Sequence, residues 1–335
     1  MTTLNPTAMT DLAENATATR TLLGAAELWR PNDSGQLRRD TGLYGPHDAL
    51  RDSAQDLTLA PGQGLAGVAF ADGRPRVFST LDNATTPERV KAAHLGDLRA
   101  AAALPRFHGG KITSVLVLFF RGDDEACGAV ELWSAGPGLF ELALGDCYHA
   151  GESLERFARI SRYVNFPQGA GLPGRVWEQT RPEIVPDVSA AKGFLRTSGD
   201  GGRELSVGLG IPLMSGVKLQ AVLLLLSARR APIARVHEIW EADANDATRI
   251  VRRHGVYGDL KAFGAASDNL SFAITGDGEG LPGRVWQSAE PLLIDNLDDL
   301  GAARREAARE AGLTCGLAIP TVVADSVRYV TLLMW

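Results

Sequence analysis

The chain has 335 residues, 45% of them hydrophobic and 22% charged, with 34 Lys and Arg against 40 Asp and Glu and a net charge of −6. That make-up excludes a disordered or fibrous class, offers no basic stripe to a nucleic-acid backbone, and is too long for one ordinary core. The longest apolar runs, SVLVLFF at 114–120 and AVLLLLS at 221–227, fall far short of the roughly 20 residues a membrane helix needs. The N-terminal stretch MTTLNPTAMTDLAENATATR lacks the basic start and apolar run of a secretion signal. A cytoplasmic protein without nucleic-acid or membrane partners is expected.

Along the chain, AELW (Glu27 to Trp29) reads as a strand, PNDSG as a polar turn, and a second, less regular strand ends near Tyr44. A variable stretch then leads to GQGLAG, a short helix stopped by Pro75, a strand, and finally two strands carrying Pro105 and Val115. The same order returns with VELW (Glu131 to Trp133), a strand end near Tyr148, GAGLPG, Pro182, Pro212 and Val222. It returns again with HEIW (Glu238 to Trp240), Tyr257, Gly278, Gly280 and Gly283, Pro291, Pro320 and Val330. In the third copy LDDLGAARREAAREAGL predicts a helix with Gly312 near its end. Repeated landmarks in fixed order define modules, with boundaries at 20–122, 123–229 and 230–335 after an N-terminal segment, 1–19. The fold class is α+β, each module a mostly antiparallel sheet of five or six strands flanked by short helices.

The G-x-G-x-x-G spacing occurs three times: Gly62, Gly64, Gly67; Gly169, Gly171, Gly174; and Gly278, Gly280, Gly283. A dinucleotide turn would need a buried strand before it and a crossover helix of a dozen residues after it. Here the preceding segments are short and mixed, and Pro182 follows Gly174 too soon for a crossover. No G-K-[S/T] follows, so a phosphate-cradling loop is excluded as well. The glycines are expected to serve a tight turn of positive φ ahead of a short helix.

The segments GLPGRVWEQTRPEIVPDV and GLPGRVWQSAEPLLIDNL, with GLGIPLMSGVKLQAVLLLL and GLTCGLAIPTVVADSVRYVTLLMW, resemble the GAF domain family. The resemblance covers nearly the whole chain as three tandem copies. The first is divergent, with Val68 and Phe70 where the others have Arg175/Trp177 and Arg284/Trp286, and is the copy expected to have lost any ligand. The resemblance implies antiparallel sheets with helices on their faces, a pocket for a small molecule, and a regulatory role with a tendency to dimerise. The short connectors RGDDEACGA and ARRAPIARVH and the lack of a kinase, cyclase or DNA-binding signature depart from the family's regulators. Output is then expected through a signalling protein partner, with a homodimer left open.

The candidate ligand groups are Arg175 and Arg284 for a carboxylate or phosphate, Trp177 and Trp286 as aromatic walls, Asp187 and Asp295 as acceptors, and Phe194 as apolar lining. Each has a plainer role: the arginines paired with Asp187 or Asp295, the tryptophans and Phe194 in the core, the aspartates capping turns. No cofactor is identified. The CYH at 147–149 lies at a strand end rather than on the helix where a bilin would attach, and no cyclic-nucleotide signature is present. Of the histidines only His94 falls on a helix suited to a haem ligand, in the divergent copy. Cys127, Cys147 and Cys315 form no C-x-x-C, and no module pairs a nucleophile with the resolving thiol that a GAF-type methionine sulfoxide reductase needs. The reading is a non-catalytic sensor. A ligand-free scaffold for protein interaction is the alternative, and the reductase the less favoured third.

Overall fold

The structure, a computed structural model, describes residues 20–82, 84–136, 140–191 and 200–335. The first sheet contains β1 (Leu23–Pro31), β2 (Leu37–Leu43), β3 (Thr58–Leu59), β4 (Arg76–Phe78), β5 (Leu98–His108) and β6 (Lys111–Arg121). Its helices are α1 (Asp48–Asp52), α2 (Gly64–Asp72) and α3 (Pro87–Leu95). The second sheet has β7 (Gly128–Ala135), β8 (Glu141–Ala150), β9 (Asn165–Pro167), β10 (Glu183–Val185), β11 (Leu205–Ser215) and β12 (Lys218–Ala228), with α4 (Glu155–Ser161), α5 (Gly171–Gln179) and α6 (Asp200–Glu204). The third has β13 (Val236–Ala242), β14 (Arg249–Val256), β15 (Ser271–Ala273), β16 (Leu292–Ile294), β17 (Gly316–Val323) and β18 (Ser326–Met334), with α7 (Lys261–Ala266), α8 (Gly280–Ser288) and α9 (Ala302–Glu310). Each sheet is antiparallel and six-stranded with one order, β3-β2-β1-β6-β5-β4 and its counterparts. The expected α+β class and mostly antiparallel modules are borne out.

Apolar runs without alternation mark strands buried on both faces, and β6 shows why. Val115, Val117 and Phe119 point into a core under the first module's helices, while Leu116, Leu118 and Phe120 point the other way. That second face joins Leu132, Leu223 and Leu225 of the second sheet and Ile239, Leu317 and Leu333 of the third in one shared core. The helix-side cores remain separate. At the edges β4 lies against β7 and β8, β10 against β13 and β14, and β16 against β2. These are head-to-tail contacts that close on themselves after three modules. The repeated prolines acquire a purpose here, for Pro105, Pro212 and Pro320 with Leu104, Ile211 and Ile319 surround a single cavity of about 50 Å³ where the three sheets meet.

The second strand of each module ends at Leu43, Ala150 or Val256, near Tyr44, Tyr148 and Tyr257 as expected, but the three tyrosines are not equivalent in register. Glu27 is paired with Gly42, Glu131 with Cys147 and Glu238 with Gly255. Two residues on, on the same face, stand Tyr44, His149 and Tyr257. Tyr148 is one residue off, and a one-residue slip turns a side chain to the opposite face. It faces the shared core and donates to the Arg121 carbonyl at 2.7 Å. Burial pushes its pKa up to about 12.

Candidate ligand clefts and the buried carboxylates behind them

The glycine loops are strand-to-helix turns. Gly62 and Gly64 have φ of 83° and 64°, Gly169 and Gly171 have 81° and 62°, and Gly278 and Gly280 have 76° and 59°. The third glycine has a different reason: a Cβ on Gly67, Gly174 or Gly283 would stand 2.5, 2.2 or 2.5 Å from the carbonyl oxygen of Ala60, Pro167 or Ala273. In the first two loops the first glycine donates back to the third, Gly62 to Gly67 at 2.7 Å and Gly169 to Gly174 at 2.9 Å.

Beneath each helix face lies a buried glutamate. Glu27, Glu131 and Glu238 are at most 1% exposed, and in each case the tryptophan two residues on, and so on the same strand face, donates from Nε1 at 2.9 Å. Tyr44 and Tyr257 donate to the other oxygen at 2.8 Å. Burial, then the adjacent carboxylate, holds both phenols well above the usual tyrosine range. In the first module Arg89 of α3 donates from Nη2 to both Glu27 oxygens at 2.9 Å, and in the third Arg304 of α9 does so to Glu238 at 3.1 Å. The Arg304 guanidinium also lies 4.7 Å from the Phe263 ring centroid. Arg89 and Arg304 thereby tie α3 and α9 to their sheets and occupy the space between helix and sheet. In the second module His149 Nε2 is 2.9 Å from Glu131 Oε1. The signal for these sites was present in the sequence as a charged residue at one position of an apolar strand, three times over. The arginines had none, since their distance from the glutamates along the chain is closed only by folding.

An open cleft of about 600 Å³ lies beside the first glycine loop, lined by Gly64, Val68, Phe78, Ser79, Thr80 and Thr86 among others. Among the described residues its wall combines hydroxyls, the Gln63 amide and apolar carbons, and none of them is charged. It lies in the divergent module, the one expected to have lost a ligand. A second cleft, of about 390 Å³, lies between the second and third modules and is lined by Gln179, Thr180, Glu241, Trp286, Arg328 and Tyr329 among others.

Arg175 is half-buried on α5, and its Nε and Nη2 donate to Glu183 Oε1 at 2.9 and 2.6 Å, so its structural partner is Glu183 rather than Asp187 or Asp295. Asp187 accepts from the amides of Ser189 and Ala190 at 3.0 and 3.2 Å, capping a turn, and the Ser189 hydroxyl with these amides holds its carboxyl below the usual range. Trp177 and Trp286 are half-buried and packed against the helix-side cores. Arg284 is half-buried on α8, Asp295 is exposed, and Phe194 lies outside the described residues. Of this set, Trp286 reaches a described cleft, and that cleft is between modules. His94 sits on α3 with Nε2 3.5 Å from Asp82. Among the described residues no group of three His, Cys, Asp or Glu is placed to hold a metal, and no helix is long and apolar enough to cross a membrane.

No family model matches the chain, and no curated protein matches it in sequence. Among solved structures it is similar to a Staphylococcus aureus NreA protein mutated in its nitrate-binding site, with 21% identity over 30% of this chain and 75% of that one and a TM-score of 0.24. It is similar to the GAF domain region of a putative membrane protein from Geobacter sulfurreducens, with 17% identity over 34% and 74% and a TM-score of 0.25. A type II free methionine-R-sulfoxide reductase from Thermoplasma acidophilum matches with 10% identity over 34% and 72% and a TM-score of 0.23. The three six-stranded antiparallel sheets, each bearing the glycine turn and its short helix, fit three tandem GAF-like modules.

Proposed function

We propose that the chain is a non-catalytic cytoplasmic GAF-type sensory protein that binds a small molecule and passes the signal to a protein partner. The observation that carries this reading is the open cleft of about 600 Å³ beside the first glycine loop, within the range of small-molecule sites. Its uncharged wall of Ser79, Thr80 and Thr86 hydroxyls facing Val68 and Phe78 suits a neutral molecule of mixed polarity. In the other modules Arg175, Trp177 and Asp187, and Arg284, Trp286 and Asp295, are proposed as lesser ligand groups. Native mass spectrometry of the full-length protein, compared with a denatured spectrum, tests the reading. Extra mass that leaves on denaturation, and that is absent when Ser79→Trp fills the cleft, is the expected result. Mass retained by that variant would exclude the cleft, and a wild-type spectrum without extra mass would favour the second reading.

That second reading, a ligand-free interaction scaffold, is favoured by one observation: Arg89 and Arg304 already occupy the space beneath the helices of two modules. A dimer without added mass in the same spectrum is its signature.

A further inference from the structure

The three seams between modules are built alike and sealed differently. At each, the left-handed cap of a glycine-loop helix, Gly73, Thr180 or Ala289, meets the last two strands of the next module round the ring. Register fixes which residues of those strands correspond. Trp29 pairs with Val115, Trp133 with Val222 and Trp240 with Val330, so Thr113, Gln220 and Arg328, each two residues before its valine, are equivalent. One strand over, Arg106, Leu213 and Thr321 correspond, opposite Ser114, Ala221 and Tyr329.

Two seams are filled by the chain itself. Gln220 donates to the Gly73 carbonyl at 3.1 Å. Arg106 donates to that of Ala289 at 2.7 Å, and Glu290 beside it accepts from Thr113 and Ser114. The seam from the second module to the third is formed but not filled. The Ala324 amide donates to the Gly216 carbonyl at 3.1 Å, and β10 lies against β13 and β14, so the modules touch. In the place of Arg106 stands Thr321, too short to cross, its hydroxyl buried and without a partner among the described residues. Among those residues none donates to the Thr180 carbonyl either, and the space left is the cleft of about 390 Å³.

The wall of that cleft states what would fit. Trp286 and Tyr329, both half-buried, give it two aromatic rings. Arg328 is exposed and, among the described residues, has neither an ion pair nor a hydrogen bond. Glu241 accepts from Arg253 Nη1 with both oxygens, at 2.9 and 2.7 Å, which leaves the Arg328 guanidinium as the unbalanced charge and favours a carboxylate. The Thr180 carbonyl lacks the donor its counterparts have and suits an N–H. We propose that this cleft binds an aromatic α-amino acid, at a site separate from the cleft of the first module. The carboxylate pairs with Arg328, and the ammonium donates to the Thr180 carbonyl and to the lone pairs Glu241 retains. The ring lies against Trp286 and Tyr329, in a space within the range of small-molecule sites. The ligand then makes the cross-seam contact that Gln220 and Arg106 make elsewhere, and so ties the second module to the third.

The test is isothermal titration calorimetry of the full-length protein with L-phenylalanine, L-tyrosine and L-tryptophan. At least one is expected to bind saturably with a Kd below about 1 mM. Its analogues lacking the amino group or the carboxylate, 3-phenylpropionate and phenethylamine in the case of L-phenylalanine, should each bind at least tenfold more weakly. Arg328→Gln, at an exposed side chain, should weaken binding at least tenfold, whereas Ser79→Trp, which fills the first module's cleft, should leave it unchanged. The analogue series on the wild type decides the matter should a variant fail to fold. No saturable binding by any of the three, equal binding of either analogue, an unchanged Kd in Arg328→Gln, or loss of binding in Ser79→Trp would overturn the proposal.

Discussion

A carboxylate removed from water is tolerated only when donors surround it, and Glu27 meets that condition through Trp29, Tyr44 and Arg89. Removing one partner leaves the charge buried and uncompensated, so Arg89→Ala is expected to cost about 3 to 5 kcal/mol, read as a lowered urea midpoint. A loss within about 0.5 kcal/mol would show that the pair is solvated after all. Two histidines set opposite pH limits. His149, raised to about 9 from an ordinary 6.5, contributes stability that is complete below pH 6.5 and lost as pH rises through 9. His237, buried with Nδ1 unpartnered, is pushed by burial down to about 4. It resists protonation in the fold, and stability should fall as pH drops from 6.5 toward 4, by about 3 kcal/mol at roughly 1.4 kcal/mol per pKa unit. Thermal melts across pH 4 to 9 should therefore show a maximum near 6.5, with the alkaline fall reduced in His149→Gln and the acid fall reduced in His237→Val, the residue at the matching position of the second module. Glu-x-Trp could be seen in the sequence as a repeated charge on an apolar strand. The exchange of tyrosine for histidine could not, because Tyr148 offered a false match one residue away and only the strand register separates them.

The short helices after the glycines end in left-handed residues: Gly73 after α2, Thr180 after α5 and Ala289 after α8, with φ of 61°, 47° and 54°. Glycine adopts that conformation without the steric cost a Cβ imposes. Thr180→Gly is accordingly expected to stabilise the protein by about 0.5 to 1 kcal/mol, where a β-branched residue is least suited, and an unchanged or lowered denaturation midpoint would count against it. These caps are also contact points. Gln220 donates to the Gly73 carbonyl at 3.1 Å and Arg106 to that of Ala289 at 2.7 Å, each across a module boundary. On α8 itself Trp286 is only half-buried, so Trp286→Ala should cost less than the ~3 to 5 kcal/mol of a fully buried tryptophan, such as Trp240→Ala. Helix positions, the proline stops and the strand pairs were readable from period and punctuation. The helix C-caps were not, since threonine and alanine give no local sign of a left-handed backbone.

Three sheets that share a core should not unfold one by one. The seam between the last module and the first is closed by Glu290, which accepts from Thr113 and Ser114 at 2.6 Å each and lies 3.5 Å from Arg30. In the shared core Leu116 is 1% exposed, and Leu116→Ala is expected to cost about 2 to 5 kcal/mol. Calorimetry should show one cooperative peak in the wild type and one, at lower temperature, in this variant. Separate peaks, with only the first module's displaced, would mean that the modules fold independently. By itself the sequence determined the threefold repeat, the antiparallel class and the purpose of the glycines, because periodicity, proline and glycine act through the local backbone. Only the tertiary structure decided that the sheets turn their outer faces into a common core, that Arg89 and Arg304 answer the buried glutamates, and that His149 stands against Glu131. Those outcomes depend on register and on contacts between residues far apart in the chain, which burial selects and local preference does not.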